Sequence, residues 1–129
     1  MHDDNQYGNG TGLMRAFKAF NCSRKGFVAA FKHESAFRQE LALACGFIPL
    51  GLWIGNGLTQ KLFLVFLVVL TLLVELINSA IEAVVDRVGL EHHELSGRAK
   101  DLGSAAVMLC LVFTGCSYAL VSYQHFIVS

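Results

Sequence analysis

Charge is scarce in this chain. Only 16% of its 129 residues are Asp, Glu, Lys or Arg, where a soluble protein carries about a quarter. Apolar side chains fill the deficit at 54% of the sequence, and the mean hydropathy is +0.52, which points to a membrane protein. The ten acidic and ten basic residues cancel. That balance alone says nothing about nucleic acid, and no nucleic-acid partner is expected. Cysteine is present but unpatterned. Cys22, Cys45, Cys110 and Cys116 include no CxxC pair, and three of them lie in apolar runs. This supports neither a disulfide framework nor a zinc site, and buried, reduced thiols are expected. A GxxxxGK[ST] loop is lacking, as are the HRD and DFG motifs of protein kinases, so any nucleotide chemistry must use another solution. The opening MHDDNQYGNGTG has no apolar core of the kind a signal peptide requires. Residues 1–12 are expected to be a disordered tail, with a single domain over 13–129 and no internal repeat or long linker.

What is there is apolar and helical in pattern. LALACGFIPLGLWIGNG, extended back into AFRQE, predicts a first span over about 36–57, with Pro49 inside it; membrane helices tolerate such a proline. A second span is predicted over about 62–85 and a third over about 102–123, each close to the roughly 20 residues that cross a bilayer. Ahead of them, Leu13, Phe17, Phe20, Phe27 and Phe31 share one helical face over about 13–33, interleaved with Arg15, Lys18, Arg24, Lys25 and Lys32. A basic amphipathic helix of this kind suits the membrane surface. The fold class is therefore an all-α membrane protein with three transmembrane helices and an N-terminal surface helix.

The basic residues orient it. Six of ten fall between Arg15 and Arg38, three more are Arg87, Arg98 and Lys100, and only Lys61 lies between spans one and two. With three spans, nine basic residues share one side, which the positive-inside rule makes cytoplasmic together with the N-terminus.

The second span carries an anomaly. In VELINSAIEAVVDR, residues 74–87, Glu75, Asn78 and Glu82 are spaced i, i+3, i+7 and lie within about 60° of one face; Ser79 borders it. From Leu62, Glu75 is about 20 Å in and Glu82 about 30 Å in, so both lie towards the cytoplasmic side. A charged carboxylate in hydrocarbon costs at least about 2.5 kcal/mol, and a polar patch that only glued helices would need one asparagine. Glu82 is placed to hold a hard cation such as Mg2+. Glu75, deeper, suits a general base acting on a hydroxyl presented from the lipid. Glu34 and Glu40 flank SAFRQ at the start of span one, and a carboxylate there can complete a metal site with Glu82. The stretch 86–106 reads as a solvated loop, except that Lys100 and Asp101 stand at the start of span three, where a lysine and a helix N-terminus can meet phosphate. The adjacent His92 and His93 are a weak metal signal.

These residues resemble a known signature. ELINSAIEAVVDRVG followed by EHHELSGRAKDLGSAAV, with ESAFRQE at 34–40, is similar to the prokaryotic integral-membrane diacylglycerol kinase family, and the likeness runs from about Gly12 to the end of span three. The resemblance implies ATP-dependent, Mg2+-assisted phosphorylation of diacylglycerol to phosphatidic acid in the bacterial inner membrane. It also implies a homotrimer whose active sites are shared between neighbouring subunits. It makes Glu75 the catalytic base, also in contact with substrate, and Glu34 and Glu82 the metal carboxylates at the nucleotide. Arg15, Asn78, Lys100 and Asp101 handle the phosphates, with Glu91 and His93 nearby. Arg15, Arg38, Glu40, Trp53 and Ser104 fall to the lipid substrate. Cys22 and Arg24 stand where the family pattern has a tyrosine and a tryptophan, so the tyrosine's nucleotide contact is not carried over, and Arg24 is free to reach headgroups. A sister branch phosphorylates undecaprenol; its usual loop differs from HELSGRAKDLGSAAV, which favours diacylglycerol. Two other readings are a small membrane scaffold, whose polar face would serve assembly only, and a transporter using the carboxylates for protons or ions. ATP turnover that depends on a lipid alcohol separates the kinase from both.

Overall fold

The computed structural model describes residues 11–128; most of the tail expected over 1–12 lies outside them. Four helices follow in order: α1 Leu13–His33, α2 Ser35–Ile54, α3 Gly57–Val88 and α4 Glu94–Tyr123, which runs on into a π-helical turn, Gln124–Val128. No strand occurs among the described residues.

The bounds follow local chemistry. Glu34 is extended (φ −113°, ψ 104°) and separates α1 from α2, its N–H bonded back to Ala30 O at 2.9 Å. The expected first span ended at 57, but α2 stops at Ile54. Gly55 and Asn56 are extended, and Gly57 opens α3 with φ +77°, a conformation glycine adopts freely. At the other end the loop expected over 86–106 is far shorter. α3 continues to Val88 and α4 begins at Glu94, so Arg98, Lys100 and Asp101 are helical. His93 starts this helix, its Nδ1 accepting the Leu95 N–H at 3.1 Å, while Glu94 supplies a favourable acid in the first turn and pairs with Arg98 at 3.2 Å.

α3 is the central helix. It packs most extensively on α4 and then on α2, while α1 touches α2 lightly. The core lies towards the α2–α3 turn, where Ala44, Ile54, Leu64, Val68 and Tyr118 are buried together. The Tyr118 hydroxyl points at two helix carbonyls, Phe47 O at 2.8 Å and Leu64 O at 3.2 Å, and so ties α4 to α2 and α3. Gly51 makes room for it, since a Cβ there would stand 2.7 Å from the Tyr118 oxygen.

The remaining apolar surface faces outwards. Phe63, Phe66, Leu73, Leu109, Val112 and Phe113 on α3 and α4 are all exposed. Soluble monomers rarely expose apolar patches on this scale, whereas a lipid-facing helix needs them. By length and composition α3 and the continuous helix Glu94–Val128 can each cross a membrane. α2, with Arg38, Gln39 and Glu40 near its start, is not among the helices that meet that measure. The cysteines are free as expected but not buried. Cys22, Cys45 and Cys116 are exposed and Cys110 is partly so, because each falls on a helix face turned away from the packed interior.

Candidate functional site

The inward face of α3 changes character along its length. Leu64, Leu67 and Val68 give way to Thr71, Glu75 and Asn78, all buried. Thr71 bonds the Leu67 carbonyl at 2.9 Å and meets the Thr114 hydroxyl of α4 at 3.3 Å. One turn on, Glu75 is only 4% exposed. The helix thus presents this carboxylate to the protein interior and not to its outer surface. Asn78, 8% exposed, sends its amide N–H to Glu82 Oε1 at 3.4 Å. Its Oδ1 has no hydrogen-bond partner and packs on α4 at Gly103.

Several other predicted residues gather at this end. Glu34 and Glu82 both lie within electrostatic reach of Glu75, and Glu40 lies within reach of Glu75. Lys100 reaches across from α4 to bond Asp86 at 2.7 Å and feels the charge of Glu82. It precedes the apolar stretch that starts at Leu102, and its ammonium is held above the ordinary lysine value, chiefly by the bond to Asp86. The α1–α2 junction, α2, α3 and α4 therefore all contribute. A groove of about 600 Å³ opens between α1 and α3, walled by Ser23, Gly26, Glu34, Ser79 and Ala83 among others. The Ser79 hydroxyl is buried there without a partner.

Others do not join the cluster. Arg15 is exposed near the far end of α1, roughly 28 Å along the helix from Glu34. Trp53 lies at the opposite end of the bundle, 64% exposed and edge-on to His125 and Phe126. Arg38 donates to the carbonyls of Phe31 at 2.7 Å and Lys32 at 3.2 Å, closing the C-terminal turn of α1. His93 is occupied as a helix cap, and Glu91, Asp101 and Ser104 are exposed. Among the described residues no three His, Cys, Asp or Glu side chains form a metal cage.

Sequence reasoning missed Asp86 as the partner of Lys100 and gave no role to Gly103. The first had a signal, a polar residue in phase with Glu82 one turn earlier. The second had none, because a glycine that matters by what it lacks leaves no mark on a hydropathy pattern.

A family model described as prokaryotic diacylglycerol kinase matches residues 21–122. The diacylglycerol kinase of Escherichia coli (strain K12) is 43% identical over 118 residues, which covers 92% of this chain and 97% of that one. The diacylglycerol kinase of Haemophilus influenzae is 47% identical over 105 residues, 81% of this chain and 89% of its own. That of Pseudomonas aeruginosa is 43% identical over 111 residues, 86% and 90%. A carboxylate–amide–carboxylate face on a membrane-length helix, buried at Glu75 and Asn78 and half-buried at Glu82, and a match of this extent agree: the chain belongs to the prokaryotic diacylglycerol kinase family.

Proposed function

We propose that this chain transfers the γ-phosphoryl group of ATP to the free hydroxyl of diacylglycerol at the cytoplasmic face of the bacterial inner membrane, giving phosphatidic acid and ADP. The observation that carries this reading is Glu75, buried on the inward face of α3 with Asn78 and Glu82 beyond it. The lipid hydroxyl arrives from the bilayer and ATP from the cytoplasm, so the two meet along this helix. Glu75 takes the hydroxyl proton as the new O–P bond forms and the bond to the β–γ bridging oxygen breaks, ADP leaving with that electron pair. No phosphoenzyme is needed, since positioning and charge neutralisation carry most of phosphoryl transfer.

The donor set fits Mg2+, which takes one or two protein carboxylates together with substrate phosphates. Glu34 and Glu82 would hold it, both within reach of Glu75. Bound there, the ion would offset the triphosphate charge. Asn78 orients Glu82, and Lys100 approaches the phosphates, with Asp101, Glu91 and His93 at the rim. Arg38, Glu40 and Ser104 flank the lipid side.

α2 serves as a third span in this reading, since its 20 residues reach about 30 Å. Its charged first turns lie at the cytoplasmic interface beside a membrane-surface α1. Arg15 and Trp53 do not reach the Glu75 cluster within one subunit, and broad apolar faces of α3 and α4 are uncovered. Both observations support a homotrimer in which neighbouring subunits complete each site.

Purified protein in mixed micelles, given radiolabelled ATP with diacylglycerol and undecaprenol in parallel, tests the proposal. Label is expected in phosphatidic acid. Label in undecaprenyl phosphate alone would reassign the substrate, and label in neither would leave the scaffold and transporter readings.

A further inference from the structure

The contact between Asn78 and α4 has a consequence for the reaction. α4 contains Gly97, Gly103 and Gly115. A Cβ added at Gly97 or Gly115 would meet nothing within 4 Å, whereas one at Gly103 would collide with the Asn78 amide oxygen and stand 3.1 Å from its Cγ. Gly103 is buried. Its missing side chain is the space that the Asn78 amide occupies.

The orientation of that amide is chemically fixed. Only its NH2 group can donate to a carboxylate, and it does so to Glu82 Oε1 at 3.4 Å. The oxygen must then turn the other way, towards α4, where it is buried without a conventional donor. It lies in the direction of a Gly103 Cα–H, the weak donor that a close helix contact provides. A methyl group at residue 103 removes this seat. The amide must rotate or withdraw, and the N–H to Glu82 goes with it.

We propose that Gly103 is a positioning residue: by admitting the Asn78 amide oxygen against the α4 backbone, it fixes the direction of the Asn78 N–H and so the orientation of the Glu82 carboxylate. This rests on the reading of Glu82 as a carboxylate for the nucleotide-bound cation. Outer partners that orient a metal-binding carboxylate typically affect metal affinity by about 10–100-fold.

The test is a double-mutant cycle read by binding as well as turnover. Mn2+ binding in the presence of a non-hydrolysable ATP analogue is followed by electron paramagnetic resonance on the detergent-solubilised protein, with thermal midpoints recorded alongside. Gly103→Ala is expected to weaken Mn2+ binding roughly tenfold, while Gly97→Ala and Gly115→Ala leave it unchanged. In an Asn78→Ala background, Gly103→Ala is expected to have no further effect, because the group it displaces is gone. Equal losses in both backgrounds, or no loss in either, overturn the assignment. If Gly103→Ala fails to fold, the double variant, relieved of the collision, is expected to fold. Failure of both would make Gly103 a packing residue only and overturn the proposal. Wild-type protein that binds Mn2+–nucleotide yet phosphorylates no lipid would instead overturn the substrate reading and leave this one standing.

Discussion

Glu75 is a carboxylate with protein on the side where a lipid-facing residue would have hydrocarbon, and Asn78 follows one turn later on the same buried face. A scaffold gains nothing from a charge there, so Glu75→Gln, which keeps the shape and removes the base, separates the two readings. Glu75→Gln is expected to fold and bind nucleotide but to lose at least roughly a hundredfold in turnover, with little change in the KM for ATP. Steady-state kinetics on purified protein decide it, and near-normal turnover would return Glu75 to a structural role. Glu34→Gln and Glu82→Gln are expected to act elsewhere, raising the Mg2+ concentration needed for half-maximal rate by roughly tenfold or more. An unchanged Mg2+ titration in both would remove them from the cation. The spacing of Glu75, Asn78 and Glu82 made this face legible from the sequence alone. The partners on other helices, Gly103 at Asn78 and Asp86 at Lys100, depend on how α3 and α4 are set against each other, which a one-dimensional pattern does not contain.

Helices were legible where hydropathy and period agreed. The phenylalanine stripe gave α1 its bounds, and the apolar run marked the body of α3. The pattern failed at the start of α4, where ten polar or charged residues from Asp86 to Asp101 read as solvated loop. Helix formation there rests on the His93 cap and the Glu94–Arg98 pair, neither of which raises hydropathy. Packing between the helices rests strongly on one hydroxyl. Tyr118→Phe deletes the only proton that Tyr118 offers to the Phe47 and Leu64 carbonyls. It is expected to destabilise the fold by about 1 kcal/mol, lowering the thermal midpoint while activity per folded molecule holds. A drop in specific activity without a shift in midpoint would show that the tie reaches the site.

The distribution of basic residues makes a claim about the whole molecule that the helix bundle alone does not test. Asn56 in the α2–α3 turn and Gly97 in the second turn of α4 lie at opposite ends. In a cysteine-free background, a thiol at residue 56 is expected to react with an impermeant reagent from outside intact cells, and one at residue 97 only after the membrane is opened. Reversed labelling would put the Glu75 face on the wrong side for ATP. One feature also fixes how the protein relates to its surroundings. α3 is an unbroken helix of 32 residues, about 48 Å long, against a hydrocarbon layer of about 30 Å. Glu75 and Glu82 are graduations on a stiff rod longer than the medium it is dipped in. The protein holds their separation, but the waterline is drawn by the lipids. Changing acyl length moves that line along the rod, so the catalytic rate is expected to peak in bilayers of one thickness and fall in vesicles of shorter or longer phosphatidylcholines, the host lipid acting as a gauge of how deep the reaction runs.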